Sequence, residues 1–228
     1  MKKILFIVLL SGSSCILGQS CISKIYSKIL GNTDIRQEYK LLVYQALKDH
    51  GIANSENVSV KRMNSVGPLI ALMPLSSFTA FGIWFDEEQL DSCSADEKTY
   101  QIYHEAAHYA KYHHQKLLGI GAGISALAIA GLIYLYKKLS ENNVSHSSAL
   151  TVGAAVLSIE GILGLLPYVV KLQEKEADIE AAKKLLLLNK AQVVKAHIQN
   201  LNQDSSQSGN IWWFSDKEQA AYLTEIIK

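Results

Sequence analysis

Leu117 to Tyr136, LLGIGAGISALAIAGLIYLY, runs without a charge for long enough to cross a hydrocarbon layer as a helix. At about 1.5 Å per residue, about 20 residues span about 30 Å. Ala149 to Val170, ALTVGAAVLSIEGILGLLPYVV, is about as long and carries one charge, Glu160. The polar linker KKLSENNVSHSS separates them. The pattern predicts a transmembrane hairpin, with Gly119 and Gly123 letting the two helices pack closely. The competing reading is a pair of buried helices in a soluble bundle. That reading is weaker, because the first run shows no polar face at any helical period. Glu160 at bilayer depth is either functional and inward-facing, or close to an interface or protonated.

Composition agrees with a membrane protein. Of 228 residues 19% are charged, where soluble domains carry about 25%, and the mean hydropathy is +0.09. The net charge is +1 and the only arginines are Arg36 and Arg62, which argues against a nucleic-acid partner. Cys15, Cys21 and Cys93 have no C-x-x-C spacing, so they build neither a disulfide framework nor a thiolate metal site. Any metal must be held by imidazole and carboxylate.

The N-terminus, MKKILFIVLLSGSSCILGQSC, has two lysines, a short apolar run and then small polar residues. This predicts a signal peptide over residues 1–20, with an uncleaved N-terminal anchor as the alternative. Lipidation at Cys15 or Cys21 is disfavoured, since neither has a leucine three residues upstream.

Periodicity predicts a helix over Asp34–His50, stopped by Gly51, a strand over Val58–Met63 and a second over Phe78–Phe85. A short helix around Leu90 follows. Ser94 or Asp96 then caps a helix running through Tyr103 to His114. Another helix covers Lys171–Leu188, the polar stretch from His197 to Asn210 reads as a loop, and a last helix closes the chain.

Tyr103-His104-Glu105-Ala106-Ala107-His108-Tyr109 contains H-E-x-x-H. Residues four apart share one helix face, so both imidazoles can reach one Zn²⁺, while Glu105 lies beside it as a general base. Such a motif arises by chance in roughly one chain in a hundred of this length, so it needs support. The charged-surface alternative would make it an ordinary helix face, and His113 and His114 read as solvated residues. A catalytic zinc takes a third protein ligand and keeps one position open. Glu174 in Glu174-Lys175-Glu176-Ala177-Asp178 can supply it, and Asp178, four residues on, can accept a hydrogen bond from a ligand histidine. The alternative is a solvated charge run, which is how Glu176 and Glu180 read.

H-E-x-x-H followed by E-x-x-x-D within E-x-E-A-D-x-x-A resembles the gluzincin metalloproteases of the heat-shock protease HtpX and CAAX prenyl endoprotease type, which include the mitochondrial inner-membrane stress protease. The resemblance covers about Val58 to Leu188, including FGIWFDEEQLDSCSADEKTYQIYHEAAH upstream. It implies zinc on His104, His108 and Glu174, Glu105 as base and Asp178 supporting the site. It also implies an α+β, mostly α-helical zincin-type domain with a small edge β-sheet that pairs with extended substrate, interrupted by the hairpin. The family's Ser-x-His-Pro segment, with its later Arg, is matched here by Phe214-Ser215-Asp216-Lys217, without His, Pro or Arg. The group stabilising the oxyanion is therefore unassigned, with His197 and Tyr222 as candidates and ordinary packing as the alternative for both.

The expected organisation is a leader at 1–20, the first part of the protease domain at 21–116, the hairpin at 117–170 and the remainder at 171–228. The expected activity is a membrane-anchored zinc metalloendopeptidase acting on peptides or on misfolded or membrane-linked proteins. Alternatives are an inactive membrane protein of the same fold serving as an assembly partner, and a membrane module with an accidental motif. Lys2, Lys3, Lys137 and Lys138 favour a multi-pass protein with the zinc site on the exported side.

Overall fold

The structure is a computed structural model that describes residues 32–63, 76–79, 82–142, 147–203 and 214–228. The expected leader, 1–20, and the side chain of Glu160 lie outside the described residues. The described chain is mostly helical with one small sheet. In order it has α1 (Gln37–Asp49), a 3-10 turn (Ser55–Asn57), β1 (Val60–Arg62), β2 (Ser76–Thr79), β3 (Gly82–Phe85), α2 (Glu87–Ser92), α3 (Ala95–Ala110), α4 (His113–Glu141), α5 (Ser147–Leu187), α6 (Ala191–Gln203) and α7 (Asp216–Ile226).

The sheet has the order β1-β3-β2, with β1 parallel and β2 antiparallel to β3. Phe78–Phe85 is therefore not one strand. It divides at the β2–β3 connection and restarts at Gly82, where β3 runs so close to the preceding β1 segment that a Cβ would strike the Ser59 carbonyl. All four residues of β3 are buried, as a central strand requires.

The core gathers Tyr39, Val43 and Leu47 of α1, Ile83 and Phe85 of β3, Leu90 of α2, Tyr100 and Ile102 of α3, Leu185 of α5, Val194 of α6 and Leu223 of α7. Every one of these faces recurs at helical or strand spacing, so burial follows from the sequence pattern. α3 and α5 pack against each other and both bury alanines. Ala106, Ala107, Ala177, Ala181 and Ala182 are all fully buried. Small side chains there let the two backbones approach, and the longer side chains beside them converge.

Helix ends explain two departures from expectation. α3 starts where Ser94 accepts from Glu97 N, but stops at Ala110 rather than His114. Tyr112 adopts the left-handed conformation (φ 56°), and α4 restarts at His113 in a new direction. At the other end of the domain, Asn189 (φ 59°) turns the chain into α6. Residues 197–203, expected in a loop, belong to α6 because Val193, Val194, His197 and Ile198 form a buried face.

α5 joins the expected second apolar segment and the expected 171–188 helix into one 41-residue helix that passes through Pro167. α4 and α5 pack along each other. Gln173, in the C-terminal half of α5, donates to the carbonyl of His113 at the start of α4, so the pair is antiparallel. α4 is long and apolar enough to cross a membrane, the one such helix among the described residues. Its side chains stand exposed, Leu127 at 76% and Ile133 at 64%. Among the described residues, a Cβ on Gly119 or Gly123 would meet nothing within 4 Å, so the close G-x-x-x-G packing expected there is not seen among them.

Candidate metal centre

α3 carries His104 and His108 one turn apart, and α5 brings Glu174 and Asp178 one turn apart to face them. Three ligand atoms converge. His104 Nε2 and His108 Nε2 are 3.0 Å apart, and Glu174 Oε2 lies 3.3 Å from the first and 3.4 Å from the second. A tetrahedron with metal–ligand bonds of about 2.0–2.1 Å has edges of about 3.3–3.4 Å. The three residues can therefore hold one metal ion. His108 is buried (side chain 1% exposed), whereas His104 and Glu174 keep 12% and 16%, so the triangle meets solvent along one side.

Asp178 organises the side of the site away from the triangle. Its Oδ1 lies 2.8 Å from His104 Nδ1 and accepts from the Tyr100 hydroxyl at 3.2 Å, while Oδ2 accepts from the Tyr222 hydroxyl. A proton on His104 Nδ1 leaves the Nε2 lone pair for the metal, the usual backing of a ligand histidine.

The electrostatics favour a cation. Burial opposes ionisation of Glu174 and Asp178, but the neighbouring imidazoles outweigh it and hold both carboxyls below their ordinary range. Burial likewise opposes charge on His104, and Asp178 with Glu174 outweigh that and raise its pKa well above normal. Burial and the Asp178 charge push the Tyr100 and Tyr222 phenols up, so both stay protonated donors. Two ionised carboxylates, Glu174 and Asp178, set a field beside the imidazoles that a metal ion satisfies.

The remaining singled-out residues fall as follows. Glu105, adjacent to His104, is buried. Tyr222 sits on Asp178 and within the field of Glu174. His197 pairs through Nδ1 with Glu97 at 3.0 Å and stacks on Tyr100 at 3.7 Å between ring centres. Ser215, where the family pattern would begin its His-Pro segment, makes a capping box with Glu218 at the start of α7.

Two expectations are corrected. His113 is fully buried rather than solvated, because the corner at Tyr112 folds it back against His108. Glu176 is not simply a solvated charge, since it lies 3.2 Å from His113 Nε2. Tyr100, the second donor to Asp178, belongs to neither sequence motif. Its position four residues before His104 on a capped helix is the signal that could have found it.

Comparison with protein-family models, with curated proteins and with solved structures returned no match. The functional reading therefore rests on the residues themselves.

Proposed function

We propose that the protein is a membrane-anchored zinc metalloendopeptidase of the gluzincin type. The observation that carries this reading is the convergence of His104, His108 and Glu174 from two helices onto one tetrahedral face, with buried Glu105 next in the chain. A chance H-E-x-x-H accounts for the two histidines. It gives no reason for a carboxylate on a different helix to complete the triangle, or for Asp178 to back His104.

Bound zinc supplies a Lewis acid that polarises a carbonyl and lowers the pKa of a coordinated water to about 7. Glu105 accepts the proton of the attacking water and returns it to the departing amine nitrogen. Asp178 fixes the tautomer of His104, with Tyr100 and Tyr222 holding Asp178 in place. Substrate reaches the metal from the exposed side of the triangle, as an extended chain. Such a chain adds to the sheet at β2, which packs against α3 and the start of α4. Substrates are then peptides or misfolded and membrane-linked proteins, cleaved close to the bilayer that α4 enters, on the exported side by the lysine pattern.

A second reading has its own observation. The Tyr222 hydroxyl is engaged by Asp178, His197 is engaged by Glu97, and Ser215 serves as a helix cap. A protein with zinc but no oxyanion donor would be an assembly partner of the same fold rather than a protease.

One set of measurements separates them. Detergent-purified protein is expected to hold near-stoichiometric zinc, lost in His108→Ala and in Glu174→Ala. Glu105→Gln is expected to keep the zinc and to slow peptide cleavage by about 10²–10⁴-fold. Zinc retained with no cleavage in the unmodified protein selects the assembly partner. No zinc, even after supplementation, sinks the protease reading and leaves a membrane protein that works without zinc.

A further inference from the structure

The metal centre as described gives no part to His113, yet His113 is fully buried and directly behind His108. Its Nδ1 lies 2.9 Å from His108 Nδ1, with the rings edge to face at 4.8 Å and 82°. Its Nε2 lies 3.2 Å from Glu176 Oε2, and its carbonyl accepts from Gln173 Nε2 at 3.2 Å. The left-handed corner at Tyr112 makes this possible, since a continuous helix would carry residue 113 away from residue 108.

The proton positions follow from the metal. His108 turns Nε2 toward His104 and Glu174, so its single ring proton is on Nδ1. That proton points at His113 Nδ1, which must then be an acceptor. The His113 proton is therefore on Nε2, where Glu176 receives it. We propose that His113, backed by Glu176, is the positioning residue for His108: it accepts the Nδ1–H and holds Nε2 toward the metal. His104 is backed by a carboxylate and His108 by a neutral imidazole, so the two ligands are oriented independently. His113 is also the first residue of the apolar helix α4, which ties a metal ligand to the membrane-facing part of the molecule.

This rests on the reading that His104, His108 and Glu174 bind a metal. The test compares two polar replacements in the full-length, detergent-purified protein, using zinc titration and the visible absorption of the cobalt-substituted form. In His113→Asn the amide oxygen can take the place of Nδ1. In His113→Gln volume and polarity are kept, but the acceptor falls at the wrong distance. His113→Gln is expected to bind zinc about 10–100-fold more weakly, with an altered cobalt spectrum, as loss of a ligand's hydrogen-bond partner does. His113→Asn is expected to retain most of the affinity and the unmodified spectrum. Equal behaviour of the two variants, whether both weak or both unchanged, overturns the inference while leaving the metal site standing. Absence of zinc from the unmodified protein overturns the metal reading, and this inference with it.

Discussion

His50 caps the end of α1 beside Tyr103, with its Nε2 buried and without a hydrogen-bond partner among the described residues. Burial, helped by the Lys184 charge, lowers its pKa from 6.5 to about 4. Between those values the unfolded chain binds a proton that the folded one refuses, so stability falls as pH drops through that window. The slope cannot exceed about 1.4 kcal/mol per pH unit for one proton. His50→Leu should flatten the decline in unfolding temperature between pH 6.5 and 4, measured with chelator so that the ligand histidines contribute equally. An unchanged decline would mean that His50 is not the group responsible. Glu97 acts in the same direction but at lower pH: burial opposes its ionisation, but His197 outweighs it and holds the carboxyl at about 2. Its contribution is complete above about pH 4.5 and is lost only below that, which keeps the two effects apart.

Among the elements, β3 depends on one residue. It pairs on both sides, and Ile83 N donates to Ser59 O at 2.9 Å just where Gly82 passes. Gly82→Ala would place a methyl against that carbonyl at a backbone angle (φ 157°) that side chains rarely adopt. It is expected to cost about 1–3 kcal/mol, in line with overpacking elsewhere, and to raise amide exchange at Ile83. Retained protection at Ile83 would show that the β1–β3 pairing accommodates the methyl without opening. The helices that carry the candidate metal ligands are better insulated. α3 and α5 both bury alanines, and the caps at Ser94 and Ser215 lie at helix starts.

For the molecule as a whole, α4 is out of keeping with a water-soluble surface. Leu127, Ile129, Ile133 and Tyr134 are all more than half exposed on one helix. A protein that buries Leu90 and Leu223 completely in one core has no reason to present such a surface to water. The protein is expected to stay with the membrane fraction through an alkaline wash. Leu127→Lys combined with Ile133→Lys, each costing about 2.5–3.5 kcal/mol near the centre of a span, should release or degrade it. Retention of the double variant would show that α4 is not the membrane-inserted element.

The H-E-x-x-H spacing fixes two imidazoles on one face whatever surrounds them, because a helix repeats every 3.6 residues. The same holds for Glu174 and Asp178, for the N-cap at Ser94 and for the apolar length of α4. These are local properties, and they could be read from the chain. The break at Tyr112 could not, since nothing in AKYHHQ forbids a continuous helix. Only the packing of α4 against α5 made the left-handed corner worth its strain. Tertiary packing likewise decided that His113 is buried and that Tyr222 serves Asp178. It also decided that β3 lies in the middle of the sheet. Each of these depends on which distant segment comes to lie alongside, a choice that hydrophobic burial makes across the whole chain and that no short window contains.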